Sequence, residues 1–313
     1  MEGSYGEIRA GVVFVALGAS AGAEPTGLLH SSARQPNLAW WVGWFSLRKQ
    51  RWNISLHSQN AIESLADVQR LLLPDNPSIR GLNYSFHYQP AAIAAGDYYD
   101  LMVLNYDVAP EFTASSGVDA WGVMLADVSG HGPAAAMEAV QFDAILRTYR
   151  GDEEPRGPAG ALTYANRYFF SRRQRRHFLT VFAALYRPDL QQLTYCSAGH
   201  HPALLRCGNQ VLRIDDGIDI PLGIDRDYRF SNQSCPMQAD DLLLVCTDGI
   251  LEAENAHGEP FGLDRLEALF ASAAGGVESI RDALVDALQQ HQGSRLGSDD
   301  QTLLVLQPFE LTR

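Results

Sequence analysis

Between Gly122 and Ala136 the chain reads GVMLADVSGHGPAAA, an apolar run that closes on a carboxylate and breaks at once into SGHG. A short apolar run bounded by glycines has the form of a buried strand, and Asp127 stands at its end. The arrangement recurs. Asp248 follows DLLLVCT, Asp97 precedes YYDLMVL, and Asp299 and Asp300 precede QTLLVLQ. Two of these acidic sites sit where a strand would begin and two where one would finish, so antiparallel pairing would gather them at one edge of a sheet. Aspartates gathered in this way, with no basic residue beside them, repel one another. Divalent cations remove the repulsion, and all-oxygen ligands suit hard ions such as Mg2+ or Mn2+.

With 313 residues, 46% of them hydrophobic, the chain can bury a large core as one large domain or two smaller ones. A net charge of −13 and a pI near 5.0 argue against a nucleic-acid surface, which needs clustered Lys and Arg. The dense basic run Arg172 to His177, RRQRRH, reads first as a solvated helix end and second as a docking patch for an acidic partner. Cys196, Cys207, Cys235 and Cys246 show no CxxC spacing, so zinc is not expected, and a reducing, cytoplasmic setting is the simpler expectation.

Residues 1–55 read as an accessory segment of unknown role. Gly11 to Ala23 resembles a short signal-peptide core, yet Glu2 and Glu7 precede it against a single Arg9, and the run is shorter than the roughly 20 residues that span a bilayer. Trp40, Trp41, Trp44 and Phe45 read as a packing face before a membrane interface. Residues 56–76 read as an amphipathic linker helix: from Asn60 to Leu73 the apolar positions Ile62, Leu65, Val68 and Leu72 recur at helical spacing, and Pro74 stops the run. The stripe can pack on the following domain or pair with a second copy as a homodimer through residues 60–73.

From residue 77 to 313 the pattern predicts strands at 82–89, from Tyr98, at 121–126 after a break at 114–118, then helices over 133–150 and 162–172. Strands follow at 178–186, 193–197, 203–206, 211–214, 228–234 and 242–246, then helices at 263–272 and 277–290 and a last strand at 301–307. Strands, two helices, many strands, two helices and a strand indicate an α+β fold, layered on antiparallel sheets, and not a βαβ nucleotide fold.

The blocks GDYYD at 96–100, ADVSGHGPAA at 126–135, FLTVFAALYRPDLQQLTYCSAGHHPALL at 178–205, LLLVCTDGILEAENAHGEPFGLDRL at 242–266 and SDDQTLLVL at 298–306 together resemble the SpoIIE-like branch of the metal-dependent PPM serine/threonine phosphatases. The helix ending in LLLP resembles the linker ahead of such domains in stress-response regulators of the RsbU type. The resemblance implies an antiparallel β-sandwich flanked by helices, with two Mn2+ or Mg2+ ions at one edge. It implies Asp97 and Asp127 as ligands of both ions, the Val128 backbone carbonyl as a further one, and Asp248 and Asp299 as ligands of one ion, with Asp299 favoured over Asp300. The ions would lower the pKa of a bridging water and neutralise the transferring phosphoryl group. The resemblance also implies a phosphorylated protein substrate, a STAS-domain anti-sigma-factor antagonist in a partner-switching pathway.

His131 reads as a loop residue before a general acid, and His200 and His201 read as turn residues. Asp100 is near enough in sequence to join the acid cluster. Gly96, Gly130, Gly132 and Gly249 would let the backbone turn beside the ions. A catalytically silent module that sequesters a partner is the rival from another class, and a hydrolase of small phosphoesters is a third reading; four intact acids count against the silent module.

Overall fold

A computed structural model of the chain describes residues 63–310, apart from 75, 105–119, 151–155, 170–177 and 296. The accessory segment, the tryptophan cluster, the break at 114–118 and the basic run RRQRRH lie outside the described residues.

Two sheets form the centre. One has five strands in the order β1 (Leu82–Gln89), β11 (Gln301–Pro308), β10 (Leu242–Cys246), β6 (Ala203–Cys207) and β7 (Gln210–Ile214). The other is six-stranded, running β2 (Tyr98–Leu104), β3 (Ala120–Val128), β4 (Leu179–Arg187), β5 (Gln192–Ala198) and β8 (Ile218–Asp219), with β9 (Gln233–Pro236) also on β5. All pairings are antiparallel except the two-residue β5–β8 contact. The helices α2 (Pro133–Leu146) and α3 (Pro158–Phe169) cover the second sheet, and α5 (Leu263–Ser272) and α6 (Val277–Gln292) cover the first. The expected α+β sandwich with flanking helices is therefore the observed fold.

The layering explains why the strands are apolar on both faces. Along a strand side chains alternate. On β3, Trp121, Val123 and Leu125 enter the core between the sheets, while Met124, Ala126 and Val128 enter the core under α2 and α3. On β11, Leu304 and Leu306 face the other sheet, and Leu303 and Val305 face α5 and α6. Each sheet thus has two dry faces, and β3 is buried along almost its whole length.

Two expectations shift. The strand at 228–234 contracts to Gln233–Pro236, because the preceding backbone and side chains are tied elsewhere: Phe230 N–H donates to Thr163 Oγ1 at 3.1 Å, Ser231 N–H to Asp219 Oδ2 at 3.1 Å, and Tyr228 O–H to Asp219 Oδ1 at 2.8 Å. A one-turn helix, α4 (Asp248–Leu251), follows β10 where the sequence suggested only a turn.

The linker stretch is helical over 63–70, here α1, and its apolar stripe divides. Leu65 and Ala66 pack with Ala94 and Ala136 of the domain, and Gln69 is buried in the same row, whereas Val68 is 50% and Leu71 84% exposed. Spacing alone does not separate these positions, since Leu65 and Val68 are three residues apart and Leu65 and Gln69 four. In chemical denaturation of the monomer, Leu65→Asp is expected to cost on the order of 1–3 kcal/mol by setting a carboxylate in a partly buried apolar contact, and Val68→Asp less than about 0.5 kcal/mol. Equal losses would mean that α1 docks through another face.

Candidate functional site

The alternation that builds the core also places the acids. On β2 the core residues Tyr99 and Leu101 share a face, and Asp97, two residues before Tyr99, continues that row; on β3, Asp127 continues the row of Trp121, Val123 and Leu125. Thr247 and Thr302 continue the matching rows of β10 and β11. The inter-sheet layer is apolar for most of its length and turns polar at this one edge.

The two sheets are joined there by hydrogen bonds. Asp97 Oδ2 accepts from Thr302 Oγ1 at 2.6 Å and from Thr247 Oγ1 at 2.8 Å, with Asp97, Thr247 and Thr302 all buried. One oxygen of Asp97 is thus held by the opposite sheet and the other is left for a further partner. Two glycines make room for the approach. A Cβ on Gly249 would stand 1.9 Å from the Asp300 carbonyl oxygen, and one on Gly96 would stand 3.0 Å from the carbonyl oxygen of Val128. The Val128 carbonyl therefore abuts the residue next to Asp97. Gly132, by contrast, is demanded by its φ of +84° and not by crowding.

Asp127 lies in hydrogen-bond contact with Asp248 and in the fields of Asp97, Asp248 and Asp299. Burial first and these neighbours second push its carboxyl up to about 10. Burial likewise holds Asp97 well above the usual carboxylate range, with Asp300 and Asp248 adding to the effect and the two threonines opposing it. Asp299 is raised by burial and by Asp248 and Asp300, and the field of exposed His131 partly offsets this. The structure thus brings together Asp97, Asp127, Asp248 and Asp299, with the Val128 carbonyl against Gly96 and His131 within electrostatic reach of Asp299. Asp100 does not join them. Even-numbered residues of β2 face the helices, where Asp100 and Asp143 surround the Tyr98 hydroxyl and Arg147 binds Asp143.

This donor set fits a hard cation. The acids are oxygen-only and destabilise one another when ionised, so a proton or a metal has to neutralise them. Among the described residues no three His, Cys, Asp or Glu side chains stand in a group that could hold a metal ion as placed, so a bound ion would have to draw the acids closer together than they stand.

Three side chains escaped the sequence reading. Thr247 and Thr302 were visible only as neighbours of Asp248 and Asp299, and their row in the alternation was the available signal. Gln69 gave none: from α1 its amide nitrogen donates to the Ala95 carbonyl at 2.6 Å and its oxygen accepts the Ala95 N–H at 3.1 Å, two residues from Asp97.

The family model described as Stage II sporulation protein E (SpoIIE) matches residues 117–309. The chain belongs to the SpoIIE family. It is a member of the SpoIIE/RsbU-type branch of PPM phosphatases. The chain is 28% identical over 257 residues to the phosphoserine phosphatase RsbU of Bacillus subtilis, covering 79% of this chain and 70% of RsbU. It is 22% identical over 190 residues to the phosphoserine phosphatase RsbP of the same organism, covering 59% of this chain and 45% of RsbP. Among solved structures, the SiaA-PP2C domain of Pseudomonas aeruginosa superposes with a TM-score of 0.69 at 19% identity, over 82% of this chain and 99% of that one. That likeness, at so low an identity, establishes the fold.

The raised acids have a consequence for stability. A carboxyl that moves from 3.8 unfolded to about 10 folded binds a proton on folding. Its contribution is full below about pH 4 and is lost as pH rises toward about pH 10. Without metal, Asp127→Asn is expected to melt higher than the wild type, by a margin that grows from about pH 6 to about pH 9. Melting curves in EDTA at both values test this, and a margin that shrinks with pH refutes it.

Proposed function

We propose that this chain is a metal-dependent protein serine/threonine phosphatase that hydrolyses phosphoserine or phosphothreonine. The convergence of Asp97, Asp127, Asp248 and Asp299 at the inter-sheet edge carries the reading, supported by family membership and by the name phosphoserine phosphatase borne by RsbU and RsbP. In this reading Asp97 and Asp127 each serve two ions, the Val128 carbonyl adds a ligand, and Asp248 and Asp299 serve one ion. Two bound Mn2+ or Mg2+ ions would supply Lewis-acid polarisation of the phosphate and a lowered pKa for the attacking water. The chain's own contribution is to hold its carboxylates apart and aimed, and to keep Asp97 anchored through Thr247 and Thr302. His131, exposed and within electrostatic reach of Asp299, is the candidate to return a proton to the departing serine oxygen, the loop role being its alternative.

The substrate half of the proposal is a STAS-domain anti-sigma-factor antagonist in a partner-switching pathway, resting on the resemblance to RsbU-type regulators. Residues 1–55 are assigned an accessory role, 56–76 the linker and 77–313 the phosphatase domain, with a cytoplasmic site of action. Among the described residues no helix is long and apolar enough to cross a membrane. The exposed Val68 of α1 and Leu71 just after it favour a homodimer through 60–73.

Hydrolysis of a phosphoserine protein and of an aryl phosphate is to be followed with Mn2+, with EDTA, and in Asp97→Ala and Asp248→Ala. Loss of at least about 100-fold in each variant, and full loss in chelator, is expected from removing the charge stabilisation on which phosphoryl transfer depends. Activity that ignores EDTA sinks the reading. His131→Ala should lower kcat by about 100-fold if it is the acid, and an unchanged kcat assigns it to the loop.

A further inference from the structure

Asp300 stands next to a proposed ligand and inside the acid cluster, yet its oxygens are already engaged. Oδ1 accepts the Ala91 N–H at 2.7 Å, Oδ2 accepts the Gly96 N–H at 2.6 Å, and the Asp97 amide donates to the same carboxylate. Three of the roughly four acceptor positions of a carboxylate are thereby filled by backbone. Residue 300 is also buried, at 3% exposure.

We propose that Asp300 is a positioning residue and not a metal ligand: its carboxylate clamps the loop between β1 and β2 onto the strand that carries Asp299, and so fixes where Asp97 points. The proposal rests on the phosphatase reading of the acid cluster. Its support is the set of segments that Asp300 touches. Through its side chain it holds both ends of 91–97. Its N–H donates to Asp299 Oδ1 at 2.9 Å, occupying one oxygen of that acid. Its carbonyl lies where a Cβ on Gly249 would fall, beside Asp248. A single residue therefore touches three of the four ligand-bearing segments. Sites of this kind need ligand positions held to about 0.5 Å, which loops reach only when a second layer of hydrogen bonds locks them. The 91–97 loop has no strand partner and depends on that layer.

Asp300→Asn keeps the size but sets an NH2 group against a backbone N–H. In the full chain without metal, hydrogen exchange at the Ala91 and Gly96 amides is expected to speed by at least about tenfold. By calorimetry, Mn2+ should bind about 10–100-fold more weakly with the number of bound ions unchanged, and kcat should recover at saturating Mn2+. Unchanged exchange together with unchanged affinity overturns the clamp, as does the loss of one bound ion. If the variant does not fold, a crystal structure of the wild type with Mg2+ decides: Asp300 on its three amides supports the clamp, and Asp300 on an ion overturns it. Exchange is read without metal, so a wild type that binds no Mn2+ or hydrolyses no phosphoserine would sink the proposed function while the amides still decide the clamp.

Discussion

The site depends on one conflict, the gathering of carboxylates that repel each other at the edge of a dry core. Among the described residues hydrogen-bond donors ease it, with the field of His131 adding to them at Asp299 and Asp300. Asp97 is met by two threonine hydroxyls from the opposite sheet, Asp300 by three backbone amides, and Asp299 by the amide of Asp300. Each donor lowers the cost of a buried negative charge, and hydrogen bonds to ionised acceptors are about twice as strong as neutral ones. They do not neutralise the cluster. Asp127, with Asp248, Asp97 and Asp299 around it, remains pushed up to about 10 and is the natural point at which a cation displaces a proton.

That conflict also accounts for the architecture. No single sheet supplies the set. Asp97 and Asp127 come from the strand ends of one sheet, and Asp248 and Asp299 from those of the other. Only a face-to-face sandwich brings the four together, and the hydrogen bonds from Thr247 and Thr302 to Asp97 cross between the sheets where the apolar side chains stop. The core and the site are one layer, read along its length. This explains how chains as different as this one and the SiaA-PP2C domain, 19% identical, keep the same fold: the alternation of side chains constrains the layer more strongly than the identity of its members.

Much of this was legible before any coordinates. The acids announce themselves by ending apolar runs, and helices such as Leu263–Ser272 carry an unbroken period. What was not legible belongs to tertiary accounting. Asp100 has the same chemistry and almost the same position as Asp97, and only the parity of β2 sends it to the helix face. The segment before Gln233 has strand-like residues, yet Thr163 and Asp219 take its donors. Gln69 sits in a row that reads as apolar, and nothing within the helix reveals that its partner lies 26 residues on.

Gln69 also shows why the helix ahead of the domain is more than a tether. Its amide meets the N–H and C=O of Ala95 as a neighbouring strand would, in a buried setting, and Ala95 has no strand neighbour to replace it. If α1 moves off, one backbone donor and one acceptor are left without partners, and so is the glutamine unless water reaches it. Each unsatisfied group costs about 1–3 kcal/mol, so the loop relaxes with the helix. Two residues further on is Asp97, whose carboxylate is fixed by the other sheet and cannot follow. The docking of α1 and the geometry of the 91–97 loop are therefore a single equilibrium, because the same backbone groups close both.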